Sequence, residues 1–141
     1  MSEDKVELGR RVVACKGWRW MPGMATVQGE RVVLMDDDGT LGLAAPWGGT
    51  VGVTAVRSFF DSSGACLPDF SDPATLGCLL ALVRESEGCA VITSPDYDED
   101  ETGCQGLNVT GWRAIETVRW MPVGEGATEA EALEDALEGA P

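Results

Sequence analysis

Any chemistry in this chain has to be done without histidine, because none occurs among its 141 residues. Ser-His-Asp sites, Cys-His sites and histidine-based metal sites are thereby removed together. Carboxylates remain, and the closest groupings are Asp69 with Asp72 and the cluster Asp36–Asp38. A glycosidase or nuclease needs two carboxylates facing one cleft, one of them perturbed. Neighbours in turns serve instead as solvated turn residues or helix caps, and these spacings predict that role. Asp96, Asp98 and Asp100 have the D-x-D-x-D spacing that opens a calcium loop. Glu101, however, stands where the sharp turn requires glycine, and Leu107 where the bidentate glutamate belongs. The stretch 94–106 therefore reads as an acidic flexible loop. Gly48-Gly49-Thr50 lacks the lysine and the spacing of a phosphate loop, so no cofactor is assigned.

The other candidates are aromatic and basic. Trp47 lies between Pro46 and Gly48, in a loop with little to bury it, and reads as a contact anchor. Trp18, Trp20, Trp112 and Trp120 fall in strand-like stretches and read as core or sheet-covering residues. Arg57, Arg113 and Arg119 sit in or beside strands. Converging on one face, they would bind an anion such as a nucleotide-type signal through charge-assisted hydrogen bonds; scattered, they would pair with nearby carboxylates. Tyr97, the one tyrosine, joins Trp47 and these arginines as a candidate partner- or ligand-facing residue.

Composition narrows the partners. The formal charge is −14, from 24 acidic and 10 basic side chains. That balance repels nucleic acid and anionic lipid and suits a basic protein partner. No apolar run approaches membrane-spanning length, and the acidic start MSEDKVE is not a signal peptide. Five cysteines stand at 15, 66, 78, 89 and 104, an odd count without a CxxC pair. They imply a reducing compartment, hence a cytoplasmic protein with free thiols. The length suits one domain with a real core.

The elements that must position these residues follow from periodicity. In DPATLGCLLALVRESE, residues 72–87, Leu76, Leu79, Leu80 and Val83 share one helical face. Asp72 caps its start before Pro73, and Gly88 ends it. Ala74, Gly77 and Ala81 form a small-residue stripe that would admit a neighbouring backbone. Val6–Lys16 reads as a first helix, although the β-branched Val12–Val13 pair allows a strand from Arg11 onward, and Trp18–Met21 reads as a half-buried strand. Arg31–Met35 and Leu41–Leu43 flank Asp36-Asp37-Asp38-Gly39 as a hairpin, with Thr50–Val56 as a further strand. Cys89–Thr93, Leu107–Ile115 and Thr117–Met121 are strands, the last two turning near Glu116. Thr128 and Glu131 make a capping box for a last helix through Glu138. Arg-Trp-Met-Pro occurs at 19–22 and again at 119–122, which predicts two strands in similar half-buried surroundings. The fold class is α+β: a single mainly antiparallel sheet packed with three helices, a layered α/β/α-like sandwich.

Three stretches carry a resemblance: GRRVVACKGWRWMP, LPDFSDPATLGCLLALVRE and GATEAEALEDALEGAP. They resemble the phage ABA-sandwich family of small bacteriophage proteins, with Gly17-Trp18-Arg19-Trp20, Ser71-Asp72-Pro73 and Ala127-Thr128 through Ala132 as the matching signals. Residues 25–65 and 94–106 have no counterpart. The resemblance implies a layered fold and a phage origin, and it implies no reaction. Two functions are then expected. The first is a non-catalytic phage accessory protein that binds a host factor, such as a defence component, in the host cytoplasm. The alternative is a small-ligand binder that sequesters a nucleotide-type signal in a Trp/Arg pocket. The acidic balance favours the first, and an arginine-lined pocket between two copies of the chain would favour the second.

Overall fold

The computed structural model describes residues 3–27, 29–35, 41–44, 50–54, 67–99 and 105–141. Trp47, Arg57, the Asp36–Asp38 cluster and the 100–104 part of the acidic stretch lie outside them. The element order is α1 (Glu3–Ala14), β1 (Arg31–Met35), β2 (Leu41–Ala44), β3 (Thr50–Thr54), α2 (Pro73–Glu87), β4 (Val91–Glu99), β5 (Gln105–Glu116), β6 (Met121–Gly126) and α3 (Glu129–Gly139). The class is α+β, with antiparallel pairing throughout. Rather than one sheet, the described strands form two of three strands each, ordered β1-β2-β3 and β4-β5-β6. Within each sheet every strand pairs with its neighbour along the chain, and in sequence α2 falls between the two sets. The chain divides into two compact units, Met1–Ala14 with Arg19–Cys78, and Cys15–Trp18 with Leu79–Pro141.

In the first unit, α1 buries Leu8 and Val12, and its Gly9 lies close to Leu67. Trp18–Met21 does not form a strand. The backbone turns at Pro22-Gly23 instead, where Gly23 has φ +99° and donates its N–H to the Val32 carbonyl at 2.8 Å. Only glycine takes that conformation without strain. Asp72 caps α2 as expected, accepting from the Thr75 amide at 2.9 Å and the Thr75 hydroxyl at 2.8 Å. Thr75 Oγ1 in turn accepts the Ala25 N–H at 2.7 Å. Arg31 grips the same carboxylate with both guanidinium nitrogens, at 2.9 and 3.2 Å, and donates to the Gly23 carbonyl at 2.6 Å. The hydrogen bond from Arg31 comes first among the causes that hold Asp72 down to about 2.

Along α2 the buried positions are Thr75, Leu79, Leu82 and Val83. Ala74, Gly77 and Ala81 face solvent, and a Cβ built on Gly77 meets nothing within 4 Å. The small-residue stripe is thus an outer face and not a seam. The large residues release more apolar area on burial, and they claim the inner side. Gly88, at φ +71°, ends the helix as its sequence position implies.

In the second unit, α3 lies across β5 and β6. The helix comes so close that a Cβ on Gly124 would collide with the Ala132 carbonyl and lie 2.6 Å from the Ala136 nitrogen. Ala132, Leu133 and Ala136 are fully buried. Thr128 accepts the Glu131 amide at 3.2 Å, and the Glu131 carboxylate returns to the Ala127 N–H at 2.9 Å. Two strand boundaries differ from expectation. Ser94–Glu99, expected in the loop, continues β4, because its carboxylates find cross-strand partners far along the chain: Asp96 meets Arg113 and Asp98 meets Asn108. Thr117–Trp120 is a turn, and β6 begins only at Met121, with Pro122 tolerated because β6 is an edge strand.

Candidate functional site

The β5–β6 turn is built around one carboxylate. Glu116 ends β5 with its side chain almost fully buried. Its Oε2 accepts the Val118 N–H at 3.1 Å and faces the Cys89 thiol at 3.8 Å. Its Oε1 accepts the Arg119 N–H at 3.0 Å and the Arg119 Nε–H at 3.1 Å. Thr117 ties the other side, its N–H and hydroxyl both donating to the Ala90 carbonyl. Burial pushes the Glu116 carboxyl up, but the Arg119 and Val118 hydrogen bonds outweigh it and hold the group below its ordinary value. The neighbouring Cys89 thiol is raised, first by burial and then by the charge of Glu116.

What this clasp presents is apolar. Val118 is 74% exposed, Trp120 67% and Met121 53%. Trp120 also sits at φ +56°, in the left-handed region that bulky residues rarely enter. Trp120 was expected to cover a sheet, like the other strand tryptophans. Trp20 is buried and Trp18 and Trp112 are half-buried, whereas Trp120 stands in water. An exposed indole with two apolar neighbours, on a turn fixed from beneath, has the composition of a binding hot spot.

Of the expected site residues, Tyr97, Arg113 and Arg119 fall among the described residues. Trp47 and Arg57 lie outside the described residues. Arg119 is engaged by Glu116. Arg113 projects from β5 toward Asp96 of β4, at 3.0 Å, and Glu125 of β6, at 4.0 Å. It lines an open cleft of about 410 Å³ with Trp112, Thr110 and the first residues before α3. Two carboxylates flank that one guanidinium, so the cleft repels an anion more than it attracts one. Tyr97 is exposed, paired in register with the exposed Val109 on β5. Cys15, Cys78 and Cys89 are thiols, and Cys15 is pushed up to about 11 by burial and by Glu134 and Glu138. Among the described residues, no helix is long and apolar enough to cross a membrane.

Val118, Trp120, Met121 and Glu116 are not among the site residues expected from the sequence, which marks Glu116 as the place of the turn and Trp120-Met121 as part of the repeated Arg-Trp-Met-Pro. No family model, curated protein or solved structure matches this chain.

Proposed function

We propose that this chain is a non-catalytic interaction protein whose contact element is the Val118–Met121 turn. The observation that carries this reading is the exposed Val118, Trp120 and Met121 on a turn whose amides are held by a buried carboxylate. The unit that bears the turn holds fourteen acidic and four basic side chains, against ten and six in the other unit. The partner is accordingly a protein with an apolar pocket rimmed by lysine or arginine, drawn in by charge and held by the indole. Given the phage setting that the resemblance implies, that partner is a host factor met in the host cytoplasm, and interference with a defence component is the role that follows.

The ligand-sequestering alternative finds support in one feature, the presence of Trp112 and Arg113 on a single cleft. Native mass spectrometry of the protein purified from infected cells separates the two. A co-purifying protein lost in Trp120→Ala and kept in Arg113→Ala supports the proposal. A small phosphorylated ligand lost in Arg113→Ala and kept in Trp120→Ala overturns it.

A further inference from the structure

The geometry points to Glu116 as the positioning residue of this surface: its buried carboxylate, with both oxygens accepting, sets the conformation in which the 117–120 turn presents Trp120. The inference rests on the reading of the turn as a contact surface only for its biological meaning. The conformational claim concerns the free protein and can fail separately.

Two facts make the residue type matter. Four donors converge on the group: the Val118 amide and the Cys89 thiol on Oε2, and the Arg119 amide and Nε–H on Oε1. An ionised carboxylate is acceptor-only on both oxygens and can take all four. A glutamine of the same shape has one oxygen and one NH2, so one pair of donors would face a donor. One arm of the turn must then let go. The second fact is Trp120 itself. A tryptophan at φ +56° does not persist unless the surrounding structure determines it. The residues preceding it are fixed by Glu116, and the residues following it enter β6, which Gly124 seats under α3.

Among the described residues, Arg119 faces the carboxylate from the turn and the Cys89 thiol approaches it from the connection to β4, while Glu87, at the end of α2, acts on that thiol. Val91, opposite Glu116 in the β4–β5 register, is tied to α2 through its carbonyl, which accepts from Arg84 Nε–H at 2.9 Å. Arg119 is the nearest compensating charge and is itself well exposed. Protonating Glu116 removes an acceptor from the same set, so acid should act as the glutamine does.

The test is amide hydrogen exchange and chemical-shift titration of the isotope-labelled full chain, with no partner present. In Glu116→Gln the Val118 or Arg119 amide should exchange roughly ten- to a hundredfold faster, the scale of a lost hydrogen bond to a charged acceptor. The Ala114 and Ala132 amides should not change. In Arg119→Ala the backbone arm remains, and Val118 should stay protected. In the unaltered protein, the Val118 and Arg119 amide shifts should titrate together, with a midpoint below the ordinary glutamate value. Equal Val118 and Arg119 protection in Glu116→Gln and the unaltered chain overturns the assignment. If Glu116→Gln unfolds globally, the titration decides: amide shifts that ignore acid down to the global transition overturn it equally.

Discussion

Arg19-Trp20-Met21-Pro22 and Arg119-Trp120-Met121-Pro122 are the same four residues, yet Trp20 is 5% exposed and Trp120 67%. Intrinsic propensities are identical in the two copies, so the difference comes from what lies beyond them. The first copy runs into Gly23, whose left-handed turn returns the chain to Val32, and the Met21 amide donates to the Met24 sulfur at 3.3 Å. The second copy follows Glu116, which takes the amides of Val118 and Arg119 in a turn whose indole is exposed. A short motif thus does not determine burial of its tryptophan. The anchors on either side do.

The largest expected effect sharpens this contrast directly. Trp20→Ala should cost about 3–5 kcal/mol in urea denaturation, as removal of a buried aromatic does. Trp120→Ala should move stability by about 0.5 kcal/mol or less, as an exposed substitution does, while abolishing partner capture. Equal losses of stability from the two would erase the distinction between a core copy and a display copy.

Next in size is Gly124→Ala, which attacks the anchor of the second copy. The added methyl meets the Ala132 carbonyl and the Ala136 nitrogen, and helix backbone cannot move aside as a flexible side chain would. The loss should be at least about 1–3 kcal/mol, with faster amide exchange from Met121 to Gly126. Gly77→Ala on α2 is the control. Its methyl enters open space on an exposed helical position, so a gain of about 0.5–1 kcal/mol in denaturation is expected.

These anchors also explain what the chain disclosed in advance. All three helices, the Asp72 and Thr128 caps, the Gly88 stop and the antiparallel hairpins were legible, because each is written in residues within four or five positions of one another. Ser94–Glu99 was not, since its polarity reads as loop until Arg113 and Asn108 are brought opposite it. The division into two sheets is not legible for a related reason: alternation identifies a strand and says nothing of which sheet it joins. The display surface was hidden most thoroughly. A tryptophan in a β-like run looks like core, and only the four bonds on Glu116 turn it outward. Arg31 with Asp72, 41 positions apart, had no local signature at all.

That pair supplies a pH test of the first copy, since Arg31 also steadies the Gly23 carbonyl that follows Pro22. Asp72 is held at about 2 in the folded chain against 3.8 without its partners. A depressed carboxylate contributes stability above the unfolded value and loses it as pH falls through the folded one. Stability should therefore drop by about 1–2 kcal/mol between about pH 4 and about pH 2, less than the full shift implies because Arg31 is well exposed. Asp72→Asn keeps a capping oxygen and should flatten that step in urea denaturation across the same range. A step that survives in Asp72→Asn assigns the acid sensitivity to another carboxylate.

Trp120→Gly should give a small change in stability and is the most discriminating. Left-handed backbone at a bulky residue carries strain on the order of 1–2 kcal/mol, which glycine relieves. Glycine also enlarges the unfolded ensemble, at about 0.5–1 kcal/mol, so a net gain of about 0.5–1 kcal/mol should remain and denaturation midpoints should rise slightly. Binding should nevertheless weaken by at least about 2 kcal/mol, roughly thirtyfold, as loss of a central aromatic anchor does. Undiminished capture of the partner by Trp120→Gly would move the contact to Val118 and Met121. Loss of capture with the fold intact would mean that the strain at position 120 is tolerated for the surface it creates, a constraint that Trp20, buried and unstrained, does not carry.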